Sequence, residues 1–252
     1  MIILKSSLII YKLVMVNVFS FCLYGPQIPR YYDGMLSNIE LIKTHYPTWK
    51  TYIYTGSDVT EEFIRILKSY SNVVIRPTGK TGPRNMIDRF FAIDEPDVEL
   101  MEVRDADSRI HWKDRWAINQ FVNSKFKVHA IRDNPCHCYP LLGGLWGMRK
   151  INGLSIRSAY EKFKLNPTDG GIGLDQDFLN HCLYELLDGR VILAHVSIHY
   201  KTRKDVLVEF PFKYTNDIYC GRIEDSSFKD RSEIVQLTSK INIPRLSINF
   251  PK

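Results

Sequence analysis

The chain is 252 residues long, a length that suits one large domain. A hydrophobic fraction of 44% and an aromatic fraction of 12% are ample for a packed core, which excludes a disordered chain. The formal net charge of +6 suits an anionic ligand. Lysines and arginines are scattered among acidic residues without a basic tract, so we expect no nucleic-acid partner.

The cysteines indicate a reducing compartment. They are five in number, an odd count, and they are spread along the chain at Cys22, Cys136, Cys138, Cys182 and Cys220. This distribution argues against a disulfide framework, so we expect a cytoplasmic location. The Cys136-His137-Cys138 segment lacks the second ligand pair of a structural zinc site, which favours free thiols in a loop.

The N-terminal residues 1–24 are apolar but do not predict a membrane span. Lys5, Lys12 and Asn17 interrupt them, whereas a bilayer-spanning helix needs about 20 consecutive apolar residues. No small-residue cleavage site of a secretory signal is evident. We therefore expect no transmembrane span, and we interpret residues 1–14 as an extra strand or a loosely attached extension.

Strands and helices alternate along the first half of the chain. Strands are predicted at Val16–Leu23, Tyr52–Tyr54, Val73–Ile75 and Val98–Val103. The first helix between them carries Leu36, Ile39, Ile42 and Tyr46 and ends before Pro47, and the second carries Phe63, Ile66, Leu67 and Tyr70 and begins with an Asp58/Glu61 capping box. A third, short helix carries Ile87, Phe90 and Phe91.

The second half is less regular. The pattern predicts a helix carrying Trp112, Trp116 and Phe121, a strand at Val128–Ile131, a loop at Asp133–Pro140, a helix that begins at Leu174, a last strand at Val191–Ala194 and a loop-rich tail from about Phe210. Strands separated by helices of about a dozen residues predict an α/β fold with a mostly parallel, doubly wound central sheet flanked by helices.

Two carboxylates follow the strand at Val98–Val103 directly. Asp105 and Asp107 are two residues apart, so in an extended chain both side chains point the same way and reach one point. Two carboxylates at one point repel each other unless a cation lies between them, and oxygen donors suit Mg²⁺ or Mn²⁺. In parallel α/β sheets, ligands bind beyond the carboxyl ends of strands, where this pair lies. The alternative is a solvated acidic turn.

Two later segments add candidates for a binding cleft. Gly143, Gly144 and Gly147 surround Trp146, which indicates backbone passing close to a ligand or to another strand; the alternative is a tight turn with a core indole. Further on, the glycines of segment 170–173 predict a hinge into a helix with Asp175 and Gln176 in its first turn, facing the cleft. Asp175 as a mere N-cap is the alternative.

Five segments of the chain occur in the same order in GT-A-type glycosyltransferases of large DNA viruses and some bacteria. They are Phe21–Gly25, Tyr46–Trp49, Arg104–Arg109, Gly143–Gly147 and Leu174–Leu179. The chain resembles this family from about residue 16 to about residue 225, and most of all the N-terminal glycosyltransferase domain of a chlorella-virus enzyme that decorates capsid glycans.

The resemblance implies a GT-A fold, a UDP-sugar donor and Mn²⁺ or Mg²⁺. It places the metal-binding DxD pair on Asp105 and Asp107, with His195 as a third ligand. Relatives tend to read His-Asp-Ser there, whereas this chain has His195-Val196-Ser197, which leaves His199 as the alternative ligand. The candidate substrate-binding residues are Tyr24, Gly25, Arg89, Asp105, Gly143, Gly144, Trp146 and Asp175, and the candidate catalytic residues are Asp175 and Gln176.

The sequence thus predicts a metal-dependent glycosyltransferase in one domain spanning 1–252, with a loop-rich tail at 226–252. It would move a hexose or deoxyhexose from a UDP-sugar to a glycan or glycoprotein hydroxyl with retention of configuration, in the host cytoplasm if the protein is viral. One alternative is a nucleotidyltransferase acting on sugar phosphates, which normally brings a glycine-rich basic loop near the first strand. The other is a carbohydrate-binding module without turnover.

Overall fold

The strands form one sheet. The computed structural model describes residues 14–163, 173–187, 192–197, 205–212 and 218–224. Within these ranges the strands are β1 (Val16–Leu23), β2 (Lys50–Thr55), β3 (Val73–Pro77), β4 (Val98–Arg104), β5 (Val128–Arg132), β6 (Leu145–Arg149), β7 (Ile192–Val196) and β8 (Asp205–Glu209).

Helices connect most of these strands. They are α1 (Pro29–His45), α2 (Glu61–Lys68), a 3₁₀ helix (Gly82–Asp94), α3 (Trp112–Val122), α4 (Ile156–Phe163) and α5 (Leu174–Phe178), which continues through a π-helical stretch (Leu179–Leu183) into a last turn (Tyr184–Leu186). None of the helices in the described ranges is long and apolar enough to cross a bilayer.

The sheet confirms the predicted fold class. Its order is β3-β2-β1-β4-β6-β5-β7-β8, and neighbouring strands are parallel except where β6 lies antiparallel between β4 and β5. The sequence did not predict β6 as a strand, because Gly147 interrupts its apolar pattern. A Cβ at Gly147 would lie 2.6 Å from the carboxyl carbon of Glu102, so glycine allows the two strands to pair over that side chain.

Helices cover both faces of the sheet, which buries β1 on both sides. Val18 and Cys22 belong to the core beneath the 3₁₀ helix, α4 and α5, whereas Phe19 and Phe21 belong to the core beneath α1, α2 and α3. Alternate side chains of one strand therefore enter opposite cores. This two-sided burial explains why the strand reads as a continuous apolar run.

The predicted start of α2 is wrong by two residues. The N-cap is Thr60, whose hydroxyl accepts a hydrogen bond from the Phe63 N–H at 3.3 Å. Asp58 instead accepts the Gly82 N–H at 2.9 Å and so anchors the start of the 3₁₀ helix. Asp58 and Thr60 both carry a side-chain oxygen just before α2, and Thr60, which is nearer the helix, caps it.

The C-terminal predictions met the structure only in part. The last predicted strand is observed as β7, shifted toward the C-terminus, and β8 follows it unpredicted. Residues 1–13, the glycines at 170 and 171, His199 and the tail at 226–252 lie outside the described residues. The assignment of the chain to a single domain stays a prediction.

A buried ionic network joins the middle of the sheet to α3. The Glu102 carboxylate accepts a hydrogen bond from Arg104 Nη1 at 3.2 Å and lies 2.9 Å from His129 Nδ1. Arg104 Nε also donates to Asp114 Oδ1 at 3.2 Å, and His129 Nε2 lies 3.0 Å from His195 Nδ1. Burial alone would raise the pKa of Glu102, but His129 and Arg104 together hold it below its ordinary value.

This network predicts a stability cost for Glu102→Gln. The variant removes one of the two buried carboxylates that contact Arg104 and leaves Asp114 as its partner, and breaking a buried pair costs up to about 3–5 kcal/mol of unfolding free energy. Urea denaturation at pH 7 measures it. Glu99→Gln, an exposed change on the same strand, is the control and should stay within about 0.5 kcal/mol.

The same comparison has a pH signature. Because the pKa of Glu102 is lowered on folding, its charge stabilises the fold above the ordinary value of 4.5, and that stability is lost as the pH falls through the lowered pKa. The difference between wild type and Glu102→Gln should therefore shrink in acid. An equal difference at every pH would contradict this assignment.

Candidate functional site

A pocket opens at the carboxyl ends of the central parallel strands. Its volume is about 300 Å³, and its walls include segment 22–26 at the end of β1, Tyr31 of α1, Arg89 of the 3₁₀ helix and segment 105–107 after β4. Neighbouring parallel strands end at the same edge of a sheet, and the loops that follow them meet there. The pocket therefore lies where the fold class predicts a ligand.

Tyr24 and Gly25 form the wall that follows β1. Gly25 has a φ of +78°, which favours glycine, and its carbonyl accepts a hydrogen bond from the Tyr32 hydroxyl at 2.7 Å. Burial raises the pKa of Tyr24 to about 12, so its hydroxyl stays neutral. Both predicted residues thus face the pocket, held by the turn that leads into α1.

Asp105 and Asp107 face the same pocket, two residues apart. Burial raises the pKa of Asp107, and the charge of Asp105 raises it further. Arg30 and Arg89 oppose this effect. The two carboxylates therefore repel each other in a partly desolvated place, and this set of oxygen donors fits a divalent cation such as Mn²⁺ or Mg²⁺.

Arg89 connects this pair to the start of α5. Its Nη1 donates to Asp105 Oδ1, and its Nη2 donates to Asp175 Oδ2 at 3.0 Å. The side chains of Arg89 and Asp175 are only 6% and 8% exposed, whereas that of Asp105 is 45% exposed. Asp175 is not the N-cap of α5, because Gly173 occupies that position with a φ of +80°. The carboxylate of Asp175 is therefore committed to the site and not to capping.

The backbone before β6 passes directly over these side chains. A Cβ at Gly144 would overlap the Asp105 carboxylate, and a Cβ at Gly143 would lie 2.9 Å from Arg89 Nη2. Gln176 fastens this backbone: its Oε1 accepts the Gly143 N–H at 3.0 Å, and its Nε2 donates to the Leu141 carbonyl at 2.6 Å. Gly143 and Gly144 therefore allow the main chain to pass close to Arg89 and to the Asp105 carboxylate.

Trp146 lies in the core and not in the pocket. The indole is fully buried and packs edge-to-face on Phe90, with ring centroids 5.3 Å apart. Strand β6 turns alternate side chains to opposite faces, and this one points between the sheet and the 3₁₀ helix. The structure thus places Trp146 in the core and not among the residues that line the pocket, which agrees with the alternative of a core indole.

His195 also stands apart from the carboxylate pair. It lies inside β7, which runs on to Val196, and three strand steps separate β7 from β4. The ring is fully buried, shares a hydrogen bond with His129 and packs against Trp116. Burial and then His129 lower its pKa well below the ordinary value. The structure therefore gathers Asp105 and Asp107 but does not bring His195 to them.

The sequence did not predict one neighbour of the site, segment 218–224. Ile223 pairs with Ser108 in an antiparallel bridge, and the Glu224 N–H donates to the Asp107 carbonyl at 2.9 Å. This segment braces the turn that carries the second carboxylate. It has neither periodicity nor turn residues at a fixed offset, so no sequence signal reveals the contact.

A second group of side chains that could hold a metal ion is buried at the start of α3. His111, Asp114 and Cys220 place ligand atoms within 4.8 Å of one another. However, His111 Nδ1 accepts the Lys113 N–H at 3.1 Å, and its Nε2 lies 3.0 Å from the Tyr219 carbonyl. Both ring nitrogens thus have backbone partners, which favours a structural role for this group as the cap of α3.

Comparisons with known proteins find solved structures of similar fold but low sequence identity. The sequence matches no protein-family model and no curated protein. Its structure is similar to a glycosyltransferase involved in the glycosylation of the major capsid of PBCV-1, with 14% identity, 72% of this chain and 81% of that chain covered, and a TM-score of 0.48.

Two further solved structures are similar over most of the chain. A 4-diphosphocytidyl-2C-methyl-D-erythritol synthase from Anaerococcus prevotii shares 13% identity over 81% of this chain and 92% of its own, with a TM-score of 0.44. A glucosyl-3-phosphoglycerate synthase from Mycobacterium tuberculosis, solved with Mn²⁺, UDP and phosphoglyceric acid, shares 11% identity over 94% and 82%, with a TM-score of 0.41.

The Gly144 contact predicts that Gly144→Ala disturbs the site. The added methyl group overlaps the Asp105 carboxylate and must push it off Arg89, and overpacking of this kind costs about 1–3 kcal/mol. Urea denaturation measures the loss. In an Asp105→Ala background the same substitution should cost clearly less, because the overlapping atoms are gone. Equal costs in both backgrounds would contradict the contact.

Proposed function

We propose that the chain is a metal-dependent glycosyltransferase that moves a hexose or deoxyhexose from a UDP-sugar to a hydroxyl of a glycan or glycoprotein. One observation carries the proposal: Asp105 and Asp107 face one pocket at the strand ends, and Arg89 joins Asp105 to Asp175. Paired carboxylates beside a guanidinium suit a diphosphate held through a divalent cation.

The metal site would be formed by Asp105 and Asp107. When bound there, Mn²⁺ or Mg²⁺ supplies Lewis-acid stabilisation of the negative charge that develops on the departing diphosphate. The burial of His195 under α3 leaves these two carboxylates as the protein ligands that support the proposal. His199, the alternative third ligand, lies outside the described residues.

The donor would lie along the pocket from β1 to α5. Tyr24 and Gly25 would contact the nucleoside, since they line the same pocket as Arg89. The planar, always-charged guanidinium of Arg89 can hold phosphate oxygens in a fork. Asp175, with its carboxylate already buried at the site, would accept hydrogen bonds from sugar hydroxyls.

The thiols agree with the proposed location in a reducing compartment such as the cytoplasm. All five cysteines are free, and the exposed pair, Cys136 and Cys138, is not joined. Exposed thiols two residues apart persist where reductants keep them reduced. For a viral protein this compartment would be the host cytoplasm.

The first test of the proposal is Asp107→Ala. The variant should abolish UDP release from every accepted UDP-sugar, because one carboxylate leaves the cation too weakly held. Unfolding free energy should change little, since a partly buried loop carboxylate adds little packing. The assay is coupled UDP release across UDP-glucose, UDP-rhamnose, UDP-galactose and UDP-N-acetylglucosamine, with Mn²⁺ and with chelator.

Asp33→Ala, which removes an exposed carboxylate from α1, is the matched control and should keep wild-type turnover. Full activity in chelator, or in the Asp107→Ala chain, would reject the metal role. Pyrophosphate release from a nucleoside triphosphate and a sugar phosphate would instead identify a nucleotidyltransferase. Sugar binding without any turnover would identify a carbohydrate-binding module.

Transfer with retention of the anomeric configuration is the second prediction. Inversion in one step needs a free carboxylate base opposite the leaving group. Asp175 is already bound to the Arg89 guanidinium, and its neighbour Gln176 offers an amide and not a base. These contacts support a reaction in which the departing phosphate oxygen collects the acceptor proton.

Proton NMR of the first product, recorded before mutarotation, measures the configuration. The anomeric signal should match that of the donor. A product of opposite configuration would reject retention and would make Asp177, the next carboxylate of α5, the candidate base.

A further inference from the structure

Arg89 occupies the place on Asp105 that a metal ion would need. Its Nη1 contacts Asp105 Oδ1. The second carboxylate oxygen, Oδ2, lies against the backbone at Gly144, where no side chain fits. A divalent cation draws on the same lone pairs, and a doubly charged cation about 4 Å from a guanidinium is repelled by about 2 kcal/mol in water and by more in a partly buried site. Arg89 and a divalent cation therefore compete for Asp105.

Arg89 can give up Asp105 without losing its counter-charge. Its Nη2 keeps the buried carboxylate of Asp175 at 3.0 Å, and its guanidinium carbon lies 5.5 Å from the centre of the Phe90 ring. A buried arginine with a single partner and no alternative would resist such a move. Here the guanidinium is anchored at one end, and the end that would be released borders the pocket.

We infer that Arg89 is an exchangeable counter-ion. It neutralises Asp105 in the metal-free chain, releases that carboxylate to an incoming divalent cation while it keeps Asp175, and presents the freed Nη1 to the anionic ligand. This inference rests on the proposed function, since it concerns how the metal and the diphosphate reach the same pocket.

The exchange couples the two ligands. A cation that binds Asp105 frees a donor for the diphosphate, and a diphosphate that draws Arg89 away exposes Asp105 to the cation. By linkage, each ligand must then raise the affinity of the other by the same factor. The metal-free pocket, in contrast, is internally neutralised and would bind either ligand weakly.

The experiment is a calorimetric titration of Mn²⁺ into nucleotide-free protein. Arg89→Gln removes the competing charge, so it should bind Mn²⁺ about tenfold or more tightly than wild type, given the usual strength of a charged hydrogen bond. Arg84→Gln removes an exposed charge from the same 3₁₀ helix and should change the affinity less than about threefold. Equal or weaker Mn²⁺ binding by Arg89→Gln, or no binding by any of the chains, overturns the exchange.

A second measurement uses the unmodified chain, in case the variant does not fold. A crystal structure with Mn²⁺ should show Arg89 Nη1 away from Asp105 and Nη2 still on Asp175. Arg89 found on Asp105 with Mn²⁺ bound overturns the inference.

The outcomes separate this inference from the proposed function. UDP-sugar turnover with an unchanged Mn²⁺ affinity in Arg89→Gln rejects the exchange alone. Tighter Mn²⁺ binding in Arg89→Gln, together with no turnover of any donor by the wild-type chain, supports the exchange and rejects the transferase.

Discussion

Repulsion between carboxylates gathered at one sheet edge is the constraint on which the rest of the site depends. Asp105 and Asp107 face one pocket, Arg89 brings Asp175 next to Asp105, and burial and the charge of Asp105 together raise the pKa of Asp107. Arg89 offsets part of that repulsion by binding two of the carboxylates at once. The glycines before β6 then let the main chain close over the pair without adding side-chain bulk. Arg89 thus balances the charge of the carboxylates, and the glycines allow the main chain to pack closely over them.

Strand β4 contributes both to the buried ionic network and to the candidate site. It carries Glu102 and Arg104, which are buried in an ionic network that joins β4 to α3 and to β5. Its carboxyl end leads into Asp105, whose side chain is 45% exposed at the pocket. A rigid strand interior followed directly by this carboxylate gives the candidate site a fixed position. Stability and ligand chemistry therefore reside in neighbouring residues of one strand.

Periodicity predicted most of the sheet and the edge at which the pocket opens, but not the contacts that join distant segments. The spacing of Asp105 and Asp107 indicated convergence, since side chains two apart share a face. The bridge from Arg89 to Asp175 spans 86 residues and has no local signature. Strand β6 was not predicted, because Gly147 interrupts the alternation of apolar and polar residues that indicates a strand. His195 was predicted to follow the last strand, whereas β7 runs two residues beyond the predicted end, so the histidine lies within the sheet.

The long separation between Arg89 and Asp175 also has a consequence for synthesis of the chain. Most of the sheet and the first carboxylates leave the ribosome well before Asp175 does, at the usual pace of elongation. Until then Arg89 has Asp105 as its partner but lacks its second anchor. Closing such a distant contact is slow compared with local pairing. The strands β1 to β6 would therefore leave the ribosome before Arg89 gains its second anchor, which forms only when the helix carrying Asp175 docks.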